Sequence, residues 1–285
     1  MTTSTAPDLT GRTAIVTGAN SGIGRATAQA LVGFGARVVF AVRDIDKGRR
    51  AAADTPGATE VRRLDLASLD SIRAFADQWH EPIELLINNA GVSVPTLQHT
   101  TDGFELQFGT NYLGPFALTN LLLPHVTGRV VSLSSQAERM GRLDLTDFDG
   151  KKAPYKESRV YATSKLANLL FSSELQRRLV AVGSTVTTAA AHPGLVSTNM
   201  TNQTTSRLSK LMMRLLAQGP EDGALPVLYA ATGDIPGDSF TGPEHFVHMR
   251  GGAELIGRSK TARDRTVAKE LWDRSEQLTG VSFPL

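Results

Sequence analysis

The sequence predicts an α/β fold, a doubly wound parallel sheet of about seven strands with helices on both faces, built as a single domain. Three observations carry this. Apolar runs of strand character alternate with helical stretches along the chain, the order expected when a parallel sheet is covered on both sides. A glycine-rich turn follows the first such run and opens a helical stretch. The 285 residues, 41% hydrophobic and 20% charged, are enough to bury one full core, and no long linker, repeat or low-complexity stretch divides them.

The strands are expected near 13–17, 37–42, 59–64, 84–87, 129–133, 185–190 and 238–241. Residues 1–9 are polar and read as a disordered tail, which leaves residues 10–285 as the domain. The first strand, Arg12 to Thr17, leads into Thr17-Gly18-Ala19-Asn20-Ser21-Gly22-Ile23-Gly24 and then the helical stretch Arg25 to Gly33. Glycines let the backbone turn tightly and come close to a phosphate, and the free N–H groups and dipole at a helix N-terminus favour an anion. The spacing G-x-x-x-G-x-G departs from the G-x-G-x-x-G fingerprint. Its position between a strand and a helix, in a β-α-β unit continuing to Arg37-Val38-Val39-Phe40-Ala41, marks it as a nucleotide turn.

Further along, Tyr161 and Lys165 stand four residues apart in Tyr161-Ala162-Thr163-Ser164-Lys165, on one face of a helix. A phenol with an ordinary pKa of about 10 is a poor acid or base at neutral pH. A nearby ammonium is expected to lower it towards the range where general acid-base catalysis works. The alternative is a tyrosine on an amphipathic helix with a solvated lysine.

Composition excludes several classes of function. With no cysteine, there is neither a disulfide nor thiolate catalysis nor a zinc-cysteine site. The net charge is only +2, and Arg49-Arg50, Arg62-Arg63 and Arg177-Arg178 are isolated pairs without interleaved aromatics, so no nucleic-acid partner is expected. The six histidines form no H-E-x-x-H pattern, and a metal site is not expected. Neither an apolar stretch of membrane-spanning length nor a secretory signal is visible, and a cytoplasmic location is the expectation.

With these motifs read, the chain resembles the short-chain dehydrogenase/reductase family. The T-G-x-x-x-G-x-G turn, the segment Asn88-Asn89-Ala90-Gly91 after the apolar run Glu84-Leu85-Leu86-Ile87, and the Y-x-x-x-K pair occur in the family's order, from about Thr10 to about Gly251. Val42-Arg43-Asp44, the run from Tyr161 to Asn168 and Gly242-Pro243-Glu244 are similar to the retinol-dehydrogenase-like and carbonyl-reductase-like branch. The resemblance implies a Rossmann-type sheet and a nicotinamide cofactor held by Gly18, Asn20, Ser21, Gly22, Ile23, Gly24, Asp65, Leu66, Asn89, Ala90, Gly91, Tyr161, Lys165, Val196 and Thr198. NAD-preferring members usually end the second strand with an acid. Here Val42 stands at that point and Arg43 follows, which favours NADP(H), since a guanidinium can pair with a 2′-phosphate. Asp44 leaves NAD(H) open, because it could meet ribose hydroxyls or simply pair with Arg43. For Asp65 the alternative is a helix cap.

The resemblance also implies a catalytic tetrad of Asn111, Ser135, Tyr161 and Lys165, with Tyr161 as general acid/base, Ser135 orienting the substrate oxygen and Lys165 binding the nicotinamide ribose. Ser134 is the alternative to Ser135. Pro115 has no N–H to bond the carbonyl of residue 111, so one hypothesis is that it exposes that carbonyl to a relay water; the alternative is a simple proline kink.

Two segments are expected to set the substrate. The stretch between Ser135 and Tyr161 should form a loop over the pocket, and residues 197–218, with Leu208, Leu211, Met212, Leu215 and Leu216 at helical spacing, should form a lid. The leading reading is an NADP(H)-dependent oxidoreductase acting on a carbonyl or alcohol, apolar in character. A catalytically silent NADP(H)-binding sensor or scaffold is the alternative, and epimerisation or dehydration on the same fold is a third reading, opposed by the chain's length and glycine spacing. Monomer and homo-oligomer both stay open.

Overall fold

The computed structural model describes residues 7–196 and 218–285. Eight strands form one sheet in the order β3-β2-β1-β4-β5-β6-β7-β8. They are β1 (Thr13–Thr17), β2 (Arg37–Val42), β3 (Thr59–Arg63), β4 (Ile83–Asn88), β5 (Val126–Leu133), β6 (Thr187–Ala191), β7 (Ser239–Gly242) and β8 (Glu254–Leu255). The first seven run parallel, and β8 adds an antiparallel edge through Thr241↔Leu255 and Gly242↔Glu254. The sequence reading misses β8 because two residues leave no period-2 signal.

Each face of the sheet has its own core, which is why the strands read as continuous apolar runs rather than as alternations. Ala14, Val16, Val38, Phe40, Leu85 and Ile87 belong to one core, beneath helices α1 (Gly22–Gly33), α2 (Ile45–Ala53) and α6 (Pro220–Thr232). Ile15, Val39, Leu86 and Val130 belong to the other, beneath α3 (Leu69–Asp77), α4 (Gly114–Leu122), α5 (Glu157–Ala181) and α7 (Arg265–Thr279). Strand β5 begins three residues before the expected 129, because Thr127-Gly128 makes a bulge rather than a turn. Val126 pairs with Ile83 and Arg129 with Leu85, so β5 carries one extra residue.

On the second face, Trp272 of α7 stacks on Phe171 of α5 at 5.7 Å and meets Phe116 of α4 edge-on at 4.9 Å. Such pairs contribute about 0.5–1.5 kcal/mol each beyond their buried area. The chain's own C-terminal helix therefore packs along the outer face of α4 and α5. At the other end, the Leu9 N–H donates to the Phe34 carbonyl at 2.7 Å, and the Leu9 side chain packs on the first core. Leu9 is thus tied to the domain, within the stretch 1–9 that the sequence assigns to a tail.

Strand β1 lies between β2 and β4, so the chain winds outward to β3 and then returns across β1 to build the other half of the sheet. Strand order reverses there, and in open α/β sheets the crevice beyond the carboxyl ends at that point is where ligands bind.

Candidate active site

A cleft of about 710 Å³ occupies that crevice. Its floor is the turn from Thr17 to Gly24, with Gly18 at φ +66° and Gly22 at φ +53°, a left-handed backbone that glycine adopts without strain. The buried Thr17 hydroxyl accepts the N–H groups of Asn89 and Ala90, at 3.0 and 2.9 Å, and the Asn89 amide donates to the Thr17 carbonyl at 2.7 Å. These bonds lock the turn to the end of β4. A Cβ on Gly24 would overlap the Asn89 amide and stand 2.6 Å from the Gly18 carbonyl oxygen. Ser21, the N-cap of α1, makes no side-chain cap bond, so the first N–H groups of that helix are left to a ligand.

Beyond β2 the cleft is lined by Val42, Arg43, Asp44 and Lys47. Asp44 caps α2. Its Oδ1 accepts the Lys47 N–H at 3.0 Å, and this bond holds the carboxyl below its ordinary pKa. Its other oxygen faces the Lys47 ammonium at 3.6 Å, so the surface partner of Asp44 is Lys47 rather than Arg43. Among the described residues Arg43 has no acidic partner. Asp65 and Leu66 line the next stretch of wall; Asp65 Oδ1 accepts the Ala67 N–H at 3.0 Å. The cap of α3 is Ser68, which answers the capping alternative for Asp65.

At the far end Ser135, Tyr161 and Lys165 line the cleft together. Ser134 instead donates to the Lys165 carbonyl at 2.8 Å, buried behind the wall. Lys165 is 5% exposed, and its ammonium donates to the Leu133 carbonyl at 3.1 Å while lying 5.4 Å from the Tyr161 ring centre. Burial pushes the Tyr161 phenol up to about 12, with a hydrogen bond to Ser135 pulling it back in part, and burial pushes Lys165 down to about 8. The expected lowering of the phenol by the ammonium is therefore not what the geometry gives. The Nζ bonds a backbone carbonyl and lies over the ring, with no hydrogen bond to the phenol oxygen, and desolvation outweighs the cation.

Asn111 lies behind this wall. Its side chain accepts the Val92 N–H at 2.7 Å and donates to the Val92 carbonyl at 2.9 Å and to Ser164 Oγ at 3.2 Å, which pins the chain beyond β4 to α5. Gly109–Leu113 is a π-helical turn in which the Gly114 N–H bonds the Gly109 carbonyl five residues back. The helix is thus irregular just where Pro115 lacks the N–H that an α-helix would return to Asn111.

The loop expected over the pocket lies elsewhere. Residues after the 3-10 turn Gln136–Met140 pack behind α5, with Phe148 buried 5.8 Å from Phe108, and Leu143, Phe148 and Thr163 border a separate cavity of about 350 Å³. Phe148 is an anchor that draws the loop into the core. The expected lid and Thr198 fall on residues 197–217, outside the described residues; Val196, at their edge, lines the cleft and is 5% exposed. Thr17, Lys47, Ser93 and Glu157 line the cleft without having been singled out. Lys47 could have been suspected as a second cation close after β2, and Glu157 as the residue one turn before Tyr161.

A turn whose Gly24 leaves no room for a Cβ, a helix N-terminus without a side-chain cap, and a cleft that runs from this turn to Tyr161 and Lys165 fit a dinucleotide. Fold and site define a Rossmann-type, dinucleotide-binding α/β protein. The family profile described as short chain dehydrogenase matches residues 12–209. Retinol dehydrogenase 11 of Mus musculus is 41% identical over 96% of this chain and 88% of its own length, and retinol dehydrogenase 13 of Homo sapiens is 39% identical over 97% and 87%. An uncharacterized protein from Mycobacterium Paratuberculosis, known as a crystal structure, superposes with a TM-score of 0.88 at 47% identity, covering 98% of this chain and 97% of that one. A metagenomic short-chain oxidoreductase crystallised with NADP superposes at 0.58, with 27% identity over 81% of this chain and 93% of that one. The chain belongs to the short-chain dehydrogenase family, and its relatives place it among the retinol-dehydrogenase-like members. Among the described residues no helix is long and apolar enough to cross a membrane.

Proposed function

We propose that the protein is an NADP(H)-dependent oxidoreductase that interconverts a carbonyl and an alcohol, with Tyr161 as the general acid/base. The observation that carries this reading is the convergence of Ser135, Tyr161 and Lys165 on the cleft that also holds the glycine turn. NADP(H) over NAD(H) is supported by Arg43 and Lys47 beside the cleft and by the capping of α2 by Asp44, which commits one carboxyl oxygen to a backbone N–H. The metagenomic relative crystallised with NADP agrees with this preference.

The cofactor, when bound, supplies or accepts the hydride. The chain does the rest. The turn Gly18–Gly24 and the first N–H groups of α1 would hold the diphosphate, and Arg43 and Lys47 would meet a 2′-phosphate. Ser135 gives its hydroxyl to the substrate oxygen and stabilises the charge that grows there. Tyr161 donates a proton to that oxygen in reduction and removes it in oxidation. A phenol raised to about 12 stays protonated at neutral pH, the form that reduction needs. Lys165 is held against the Leu133 carbonyl one helix turn from Tyr161 and is placed to bind ribose hydroxyls. Asn111 fixes Val92 and the approach of β4 to α5, and the π-helical turn is compatible with a carbonyl there serving a relay water.

The test is oxidation of NADPH and of NADH with a panel of aldehydes and ketones graded in size and polarity. Wild-type protein should prefer NADPH, and Tyr161→Phe should lose about 10²- to 10⁴-fold in kcat, the usual contribution of a positioned acid, with NADPH binding weakened by no more than about tenfold. Tight NADPH binding with no turnover of any carbonyl would turn the reading towards a silent sensor.

A further inference from the structure

We infer that Glu157 is a specificity-determining residue for this reaction, and that the substrate carries a hydrogen-bond donor or a positive charge about one helix turn from its reacting carbonyl. The inference rests on the proposed role of Tyr161. Glu157, Tyr161 and Lys165 are spaced four residues apart along α5, so they follow one another on a single helix face. All three line the cleft. Lys165 lies at one end of this row, and Glu157 lies about 6 Å beyond Tyr161 along the axis at the other, on the side away from the lysine. That is the substrate side of the acid.

The carboxylate is held there. Ser93, which also lines the cleft, donates its hydroxyl to Glu157 Oε1 at 2.6 Å, and the Glu157 carbonyl accepts from the Gln107 amide at 3.4 Å. Gln107 in turn donates to the Tyr155 hydroxyl at 2.6 Å, so the start of α5 is fixed from behind. Among the described residues no lysine, arginine or histidine pairs with Glu157, and Ser93 is the one side chain that bonds its carboxyl group. An acid in the first turn also suits the helix dipole, but that interaction does not require the side chain to line the cleft or a serine to aim it. A half-buried acceptor with one oxygen uncommitted attracts a donor or cation and repels a carboxylate, and it does so strongly where water is partly displaced.

The prediction is tested with three para-substituted benzaldehydes of near-equal length carrying a trimethylammonium, a hydroxymethyl or a carboxylate group, whose substituents stand about one helix turn from the carbonyl. Their dissociation constants are measured by calorimetry on protein saturated with NADP⁺, and kcat/KM with NADPH is measured in parallel. Binding should follow the order cation, neutral, anion, with at least about a tenfold span from first to last. In Glu157→Gln, which keeps the size and can still accept from Ser93, the span should fall below about threefold. Ser93→Ala, which leaves the charge, should keep the order. A flat order in the wild type, including no measurable binding of any of the three, or an order unchanged in Glu157→Gln, overturns the inference. The oxidoreductase reading is judged separately, by whether NADPH is oxidised with any carbonyl.

Discussion

The two halves of the cleft are built by different means. In the nucleotide half the decisive atoms are backbone atoms, braced by Thr17 and Asn89 and kept free of side chains by Gly18 and Gly24. In the half proposed to take the substrate, the lining includes side chains, those of Ser93, Ser135, Glu157 and Tyr161, brought from three different segments of chain. A backbone cradle accepts few residue types, so it has to be written into the sequence as a motif. A side-chain wall can be built in many ways, so its ligand is legible only once the chain is folded.

This contrast is broken most directly by filling the cradle. In Gly24→Val the new side chain runs into the Asn89 amide and the Gly18 carbonyl, and because one of these is backbone, relief requires the turn itself to move. Overpacking of this kind costs about 1–3 kcal/mol, so dinucleotide binding measured by calorimetry should weaken about 5- to 150-fold for both NADPH and NADH. Equal affinity in the variant would mean that the turn does not carry the diphosphate. A smaller and selective effect is expected from Arg43→Ala. Loss of a charge-assisted bond should weaken NADPH by about tenfold and leave NADH within about twofold, which separates the 2′-phosphate contact from the shared cradle. Parallel losses for both nucleotides would assign Arg43 a structural role.

A separate effect, on stability rather than on binding, concerns Lys165 in the protein without ligand. Its pKa is about 8 folded against 10.5 ordinarily, so between these values the unfolded chain holds a proton that the folded chain does not. Stability from this group therefore rises with pH from about 8 to about 10.5. Denaturant melts of wild type and Lys165→Met across that window should show the wild type gaining on the variant. A constant difference would mean that the ammonium stays charged in the folded state.

Much of the architecture was legible because its causes are local. The alternation of apolar runs with helices located seven strands, and the strand-turn-helix context of Gly18–Gly24 located the cleft. The resemblance alone chooses Ser135 over Ser134; in the fold Ser135 lines the cleft, while Ser134 turns back to the Lys165 carbonyl. What stayed hidden depends on long-range contacts. Nothing local marks Phe148 as the anchor that draws its loop behind α5 rather than over the cleft. The balance between burial and charge at Tyr161 was misjudged for the same reason, since spacing gives the distance to Lys165 but not the surrounding dielectric. Glu157 needed the row of cleft-facing residues along α5 to be seen first.

The central claim is that this cleft transfers hydride between NADP(H) and a carbonyl under the control of Tyr161. The most direct measurement uses NADPH carrying deuterium at both C4 positions of the nicotinamide, an aldehyde from the panel that supports turnover, and mass spectrometry of the alcohol formed by wild type and by Tyr161→Phe. Deuterium at the carbinol carbon with the wild type, and little alcohol from Tyr161→Phe at NADPH concentrations that saturate the variant, is the predicted result. Alcohol formed without label, or labelled alcohol formed equally fast by the variant, would contradict it.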